Sequence, residues 1–229
     1  MGKRIAVIVN KLPSLFLGLF LFAIGISLTL KAELGLSPWG VFQYGLTNYI
    51  PITFGQASQL VGLVLIVSTC FIKVIPGLSS VFNMYFIGLF IDLIIKTELL
   101  TTPTTILGKL LMLIIGMVTI AWASYFYLRV ELGAGPRDGV MEGLVRLFQR
   151  PVWQIRTGID LTVLAIGYLL GGPIGIGTII LSLGMGTVVQ QVFKIGRYNP
   201  QDAHHMDFLK MVVFLKGKSE DPEKISPSV

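Results

Sequence analysis

Only 13% of the 229 residues are charged, so acids and bases that interrupt apolar sequence are where chemistry is to be sought. Nine stand at or within such stretches: Glu33, Asp92, Arg129, Glu131, Arg137, Asp138, Glu142, Arg156 and Asp160. In hydrocarbon each would cost about 3 kcal/mol or more, so such residues face protein, pair with an opposite charge or bind something. Arg137 and Asp138 directly follow Pro136, at the start of a short segment. The first turn of a helix has unpaired N–H groups and positive partial charge, and an arginine there adds a full charge. The chemistry that fits is capture of an anionic group. The candidate substrate-binding set is Arg137, Asp138, Arg156 and Asp160, with Ser37, Trp39, Glu33 and Glu131 from the corresponding places. A competing reading makes Arg137 with Asp160, or Asp138 with Arg156, a neutralising brace. Asp92 stands alone in the apolar run 81–95, as a proton or cation site or as an interfacial residue.

Other chemistries lack their residues. No nucleophile, base and orienter are spaced for covalent catalysis, no phosphate-binding glycine loop occurs, and both histidines, His204 and His205, lie in the polar tail. Adjacent histidines do not share a helix face, and no further His or nearby Cys completes a tetrahedral set, so neither a metal nor a cofactor is expected. An enzyme is not expected either. The single cysteine, Cys70, falls in an apolar run, which leaves packing as its expected role.

The elements that position these residues are membrane helices. The chain is 53% hydrophobic, and uncharged blocks at 12–30, 57–72, 74–95 and 110–128 approach the roughly 17–25 residues that cross a bilayer. Two more, 159–170 and 173–193, are shorter or glycine-rich and fit as spans inside a bundle. Block 12–30 is longer than a signal-peptide core and has no small-residue cleavage site after it, so it is expected to remain as a span.

Shifting the sequence by 98 positions aligns 11–96 with 109–194 and gives 17 identities over 86 positions. Composition alone would give about 6 or 7, so the chain is read as an internal repeat. Each copy holds a long span, a glycine-proline break, a short helix (38–49 and 136–149) and two further spans. At 1.5 Å per residue the short helices reach only about 18–21 Å, too little to cross. They are expected either to re-enter the membrane as half-helices or to lie at its interface, anchored by Trp39, Tyr44, Tyr49 and Trp153. Three spans per copy forces the second copy upside down, the inverted-repeat arrangement of many secondary transporters. With the N-terminus inside, 15 of 18 Lys and Arg fall on the cytoplasmic side, which agrees with the positive-inside rule but does not separate six spans from eight. The expected fold is all-α, with six transmembrane helices as two inverted three-helix repeats at 11–96 and 109–194. A tail, 195–229, follows, in which 202–216 suits a helix on the cytoplasmic membrane face and 217–229 a disordered end.

The blocks Leu34-Gly35-Leu36-Ser37-Pro38-Trp39-Gly40 and Leu132-Gly133-Ala134-Gly135-Pro136-Arg137-Asp138-Gly139 are followed by Arg156-Thr157-Gly158-Ile159-Asp160 and a glycine-rich run at 171–178. Over 12–194 this pattern resembles the bacterial YczE/YyaS/YitT-type membrane proteins. The resemblance implies a multi-pass protein of a bacterial inner membrane with a transport role, and it carries over Arg137, Asp138 and Arg156. Gly40 stands where that family's first block usually has an acid, so no carboxylate role is carried to that position.

Three functions compete: a secondary transporter or exporter of a small anionic molecule, a protein that flips or binds an anionic lipid or polyprenyl phosphate, and an accessory subunit of a membrane complex. A water-filled cavity walled by both repeats favours the first, a lateral groove open to lipid the second, and a dry, fully paired core the third. The expected partners are membrane lipids and the substrate, with pairing into a homodimer left open and nucleic acid excluded.

Overall fold

A computed structural model describes residues 2–72, 74–133, 135–198 and 205–216. These residues form nine α-helices and no strand. They are α1 (Gly2–Lys31), α2 (Pro38–Thr47), α3 (Phe54–Phe71), α4 (Leu78–Lys96), α5 (Ile106–Leu128), α6 (Pro136–Phe148), α7 (Val152–Leu169), α8 (Ile176–Ile195) and α9 (Phe208–Leu215). Five of them, α1, α3, α4, α5 and α8, are long and apolar enough to cross a membrane. The sixth expected span, α7, has 18 residues but carries Gln154, Arg156 and Asp160 and is not among those five. The helix of the first block starts ten residues earlier than its apolar run, at Gly2, and continues through Pro13.

Local chemistry sets the helix starts. Thr53 and Gln56 form a reciprocal capping box at α3, and Ser37 accepts from the Gly40 amide at α2, so N–H groups that the helix leaves unpaired are satisfied by side chains. Both short helices begin on proline, where a missing N–H costs nothing. The breaks before them share one backbone trace. α1 and α5 each end one turn before a left-handed glutamate, Glu33 (φ 52°) and Glu131 (φ 56°), followed two residues on by a left-handed glycine, Gly35 (φ 101°) and Gly133 (φ 125°). Side chains rarely tolerate that region, and glycine occupies it freely.

The core is an antiparallel pair. Gly18 of α1 lies against Ala123 and Tyr127 of α5, and Gly25 against Gly116 and Ile120. Small residues at these crossings let the helices approach closely in lipid, where burial of apolar surface gives no drive for helices to associate. Around the pair are Leu15, Leu19, Ala23, Ile87, Ile91 and Leu132. Each break is then held by the other half of the chain: the Leu34 carbonyl accepts from Gly177 N at 2.7 Å, and the Leu132 carbonyl from Ser79 N at 2.9 Å. Those two bonds exchange under the 98-residue shift.

The tail also packs on the bundle. Its helix, α9, turns one side inward, where Met211 and Phe214, with Met206 just before the helix, pack on Ile8 and Leu78, while Leu209 and Val212 stay exposed. Met206 N donates to the Glu131 carbonyl at 2.8 Å, Phe208 N to Pro76 at 3.1 Å, and Arg4 Nη1 to Phe214 at 2.9 Å. The segment straps the second break to the start of α1. Residues 199–204 and 217–229, with His204 and the end expected to be disordered, lie outside the described residues.

Candidate functional site

The first turns of α2 and α6 meet. Trp39 and Arg137 are equivalent under the 98-residue shift, and the Arg137 guanidinium carbon sits 4.7 Å from the centre of the Trp39 ring. A guanidinium over an indole face is a cation–π contact. From its other edge the same indole donates Nε1–H to Asp160 Oδ1 at 3.0 Å, which ties α2 to α7. Asp160 Oδ2 lies 4.0 Å from Arg156 Nε, one helical turn away. Asp138, beside Arg137, accepts from the Tyr127 hydroxyl at 3.0 Å.

These distances bear on the expected brace. Neither expected pair, Arg137 with Asp160 or Asp138 with Arg156, comes within ion-pair range, because Trp39 and Tyr127 take the two carboxylates. Among the described residues, Arg137 has no carboxylate within 4 Å and no hydrogen bond, only the indole face. Gly135, at the N-cap, offers α6 no side-chain acceptor. The centre therefore holds a cation on an uncapped helix start, facing a second helix start that Ser37 caps.

Arg137, Asp138, Arg156, Asp160, Trp39 and Ser37 gather at or beside this meeting point, but Glu33 and Glu131 do not. Glu33 pairs with Lys109 Nζ at 2.9 Å and accepts from Thr102 at 3.3 Å, while the Glu131 side chain makes no hydrogen bond or ion pair with the others among the described residues. The Lys109 ammonium and its hydrogen bond hold the Glu33 carboxyl below its ordinary pKa. Asp92 is not alone: it accepts from Gly55 N at 2.9 Å and from the Thr53 hydroxyl, and so places a negative charge at the start of α3. Arg129 is spent on Ser14 and Tyr125, and Glu142 on Arg146.

A cavity of about 420 Å³ opens on the other side of the α6 start, lined by Thr69, Ser80, Glu142, Arg146, His205 and Lys210 among others. His205 Nδ1 is buried there without a hydrogen-bond partner among the described residues, and burial lowers the pKa of the ring against the pull of Asp138, Glu131 and Glu142. Sequence reading missed this cavity because α3, α4, α6 and the tail each contribute isolated residues. The nearest signal was the pair of histidines. No three His, Cys, Asp or Glu converge as a metal site among the described residues.

Comparison with known proteins gives the chain relatives of the same size. It is 34% identical over 177 residues to the "Uncharacterized membrane protein YczE" of Bacillus subtilis, covering 76% of this chain and 81% of that one. An "Uncharacterized protein" of Haemophilus influenzae is 31% identical over 181 residues (79% and 82% of the two chains), and the "Uncharacterized protein YyaS" of B. subtilis is 28% identical over 181 residues (77% and 89%). No solved structure matches. Residues 9–194, nearly all of the helical bundle, match one family, and the chain belongs to it: the "Family of unknown function (DUF6198)".

Proposed function

We propose that this membrane protein is a secondary transporter or exporter of a small anionic molecule, built as two inverted repeats of three spans with α7 as the sixth span. Both termini are cytoplasmic, the membrane is a bacterial inner membrane, and no catalytic step is involved. In this reading α2 and α6 re-enter the membrane and start near its centre. The observation that carries it is the contact of Trp39 with Arg137 at 4.7 Å, since equivalent residues of inverted repeats meet only near the axis that relates them. Arg137 then stands at the middle of the protein without a hydrogen bond or a direct ion pair among the described residues, Asp138 and Asp160 opposing its charge only from beyond ion-pair distance, and an anion would bind it directly.

The test is counterflow in proteoliposomes loaded with a panel of radiolabelled carboxylates and phosphate esters. At least one anion is expected to exchange with the wild-type protein and to stop exchanging in Arg137→Ala, which still inserts. Arg137→Lys keeps the charge but loses the two-pronged geometry that suits carboxylate and phosphate, so it should recover only part of the activity. Undiminished exchange in Arg137→Ala would overturn the reading.

A further inference from the structure

Each break is held by the opposite half of the chain, but among the described residues only the second is also bonded, backbone to backbone, by a third segment. A Cβ at Gly77 would lie 2.5 Å from the Met206 carbonyl oxygen, 2.6 Å from that of Leu132 and 2.7 Å from the Gly133 Cα, so the strap, the second break and the turn before α4 converge there. At Gly175, the equivalent of Gly77, the nearest atoms all belong to Leu34 and Gly35. The strap is bonded to both halves. Met206 N donates to Glu131 in the second repeat and Phe208 N to Pro76 in the first, while Arg4 donates to the Phe214 carbonyl and lies 5.6 Å from the centre of its ring. The carbonyls of Glu33 and Ile174, which correspond to those of Glu131 and Pro76, accept no backbone bond from a further segment among the described residues.

What the strap covers is a space and not a core. His205, Asp207 and Lys210 line the cavity of about 420 Å³, with Thr69, Ser80, Glu142 and Arg146 contributed by the bundle. The charges are matched within each wall: Arg146 pairs with Glu142 on α6, and Asp207 caps its own helix by accepting from the Lys210 amide. Among the described residues no ion pair crosses from strap to bundle. Docking therefore rests on three hydrogen bonds and on the packing of Met206, Met211 and Phe214. α9 has only eight residues, fewer than the roughly 12–15 at which an isolated helix becomes marginally stable, so it is helical only where it docks. Segments with few buried contacts open at a fraction of the cost of unfolding the whole chain.

We propose that the strap is a lid and a clamp. It undocks as a unit while the bundle stays folded, and undocking opens the cavity and removes the bridge between the two halves at Gly77. The structure is the closed form, with the second break locked by the chain's own tail and the first break free of such a lock. The device needs no ligand at Arg137 and stands or falls separately from the transport reading.

The experiment measures how fast a water-soluble maleimide reacts with Thr69→Cys, a position 2% exposed in the cavity wall, in the full-length solubilised protein with Cys70→Ser removing the exposed thiol. Phe208→Pro deletes the N–H that Pro76 accepts and spares α9, because Phe208 is the first residue of the helix and Asp207 before it is extended (φ −78°, ψ 171°). Labelling should quicken about fivefold, the factor that corresponds to about 1 kcal/mol for one hydrogen bond, and about 25-fold or more when Arg4→Ala is added. Ser27→Cys, fully buried on α1 and outside the cavity, reports general loosening and should label at an unchanged rate in every one of these backgrounds. Ile66→Cys, in the same cavity wall, takes the place of Thr69→Cys should that variant fold poorly. Equal rates with the strap intact and weakened would overturn the proposal. So would a matching acceleration at Ser27→Cys, which would make the strap a brace of the whole fold and not a lid.

Discussion

Substituting leucine at Gly88 and, separately, at Gly186 puts the same side chain at equivalent places on α4 and α8. The gain in helix propensity, about 0.8–1 kcal/mol over glycine, is common to both and cancels in the comparison. What remains is steric. At Gly88 the first carbon alone would lie 2.4 Å from the Gly55 carbonyl oxygen and 2.6 Å from Gln59 Cγ, so α3 has to move off α4. Overpacking of that kind costs about 1–3 kcal/mol, and the three further carbons of leucine place this site at the upper end. At Gly186 no atom stands within 4 Å, and the expected cost is nil. With about 2–4 °C of melting temperature per kcal/mol for a chain of this size, Gly88→Leu should melt about 6–12 °C below Gly186→Leu. Thermal unfolding followed by size-exclusion of the detergent-solubilised variants reads this directly. If Gly186→Leu is as damaging as Gly88→Leu, α8 is packed at this position as closely as α4 is and the steric argument fails.

Other perturbations probe the site and the strap. Trp39→Phe keeps a ring under Arg137 but deletes the N–H that Asp160 accepts, so it should lose about 1–2 kcal/mol of stability in the same melting assay, and Trp39→Ala more, through the cation–π contact. Lys109→Gln should leave melting nearly unchanged at neutral pH, because its pair with Glu33 is exposed, and should abolish whatever stability the wild type loses as pH falls through the lowered Glu33 pKa. The His205 pKa is lowered by burial, so docking of the strap is complete above about pH 6.5, the ordinary value, and weakens as pH falls below it. Proteolysis of the tail should accelerate in that direction, and His205→Phe should flatten the profile.

Much of this was legible in the sequence, for identifiable reasons. The repeat announced itself through glycines and prolines whose backbone roles recur, so the breaks at Gly35 and Gly133 and the short helices after them could be placed to within two residues. Arg137 could be singled out because its equivalent, Trp39, is uncharged. That the two residues touch could not, since contact between repeats depends on how the halves dock and not on spacing along either. That neither expected arginine–aspartate pair meets directly has a related reason: Trp39 and Tyr127 have polar tips that also reach the carboxylates, and an aromatic residue in an apolar run gives no sign of which atom it will offer. Glu33 and Glu131 were included on the strength of the repeat, and in each the side chain matters less than the left-handed turn it stands in.

The pairing of α1 with α5 also fixes a timetable for assembly. The ribosome completes Lys31 nearly a hundred residues before Leu128, an interval of about 5–20 s at ordinary rates of synthesis. Through that interval α1 has glycine crossings on its surface with nothing to fill them, and the break at Gly35 waits longer still for Gly175 and Gly177. Neither half can therefore reach its final form as it is made. The early helices must be held in the membrane, apart from other chains with similar surfaces, until their counterparts arrive, so variants that slow the second half should raise degradation of the first without altering any contact in the finished protein.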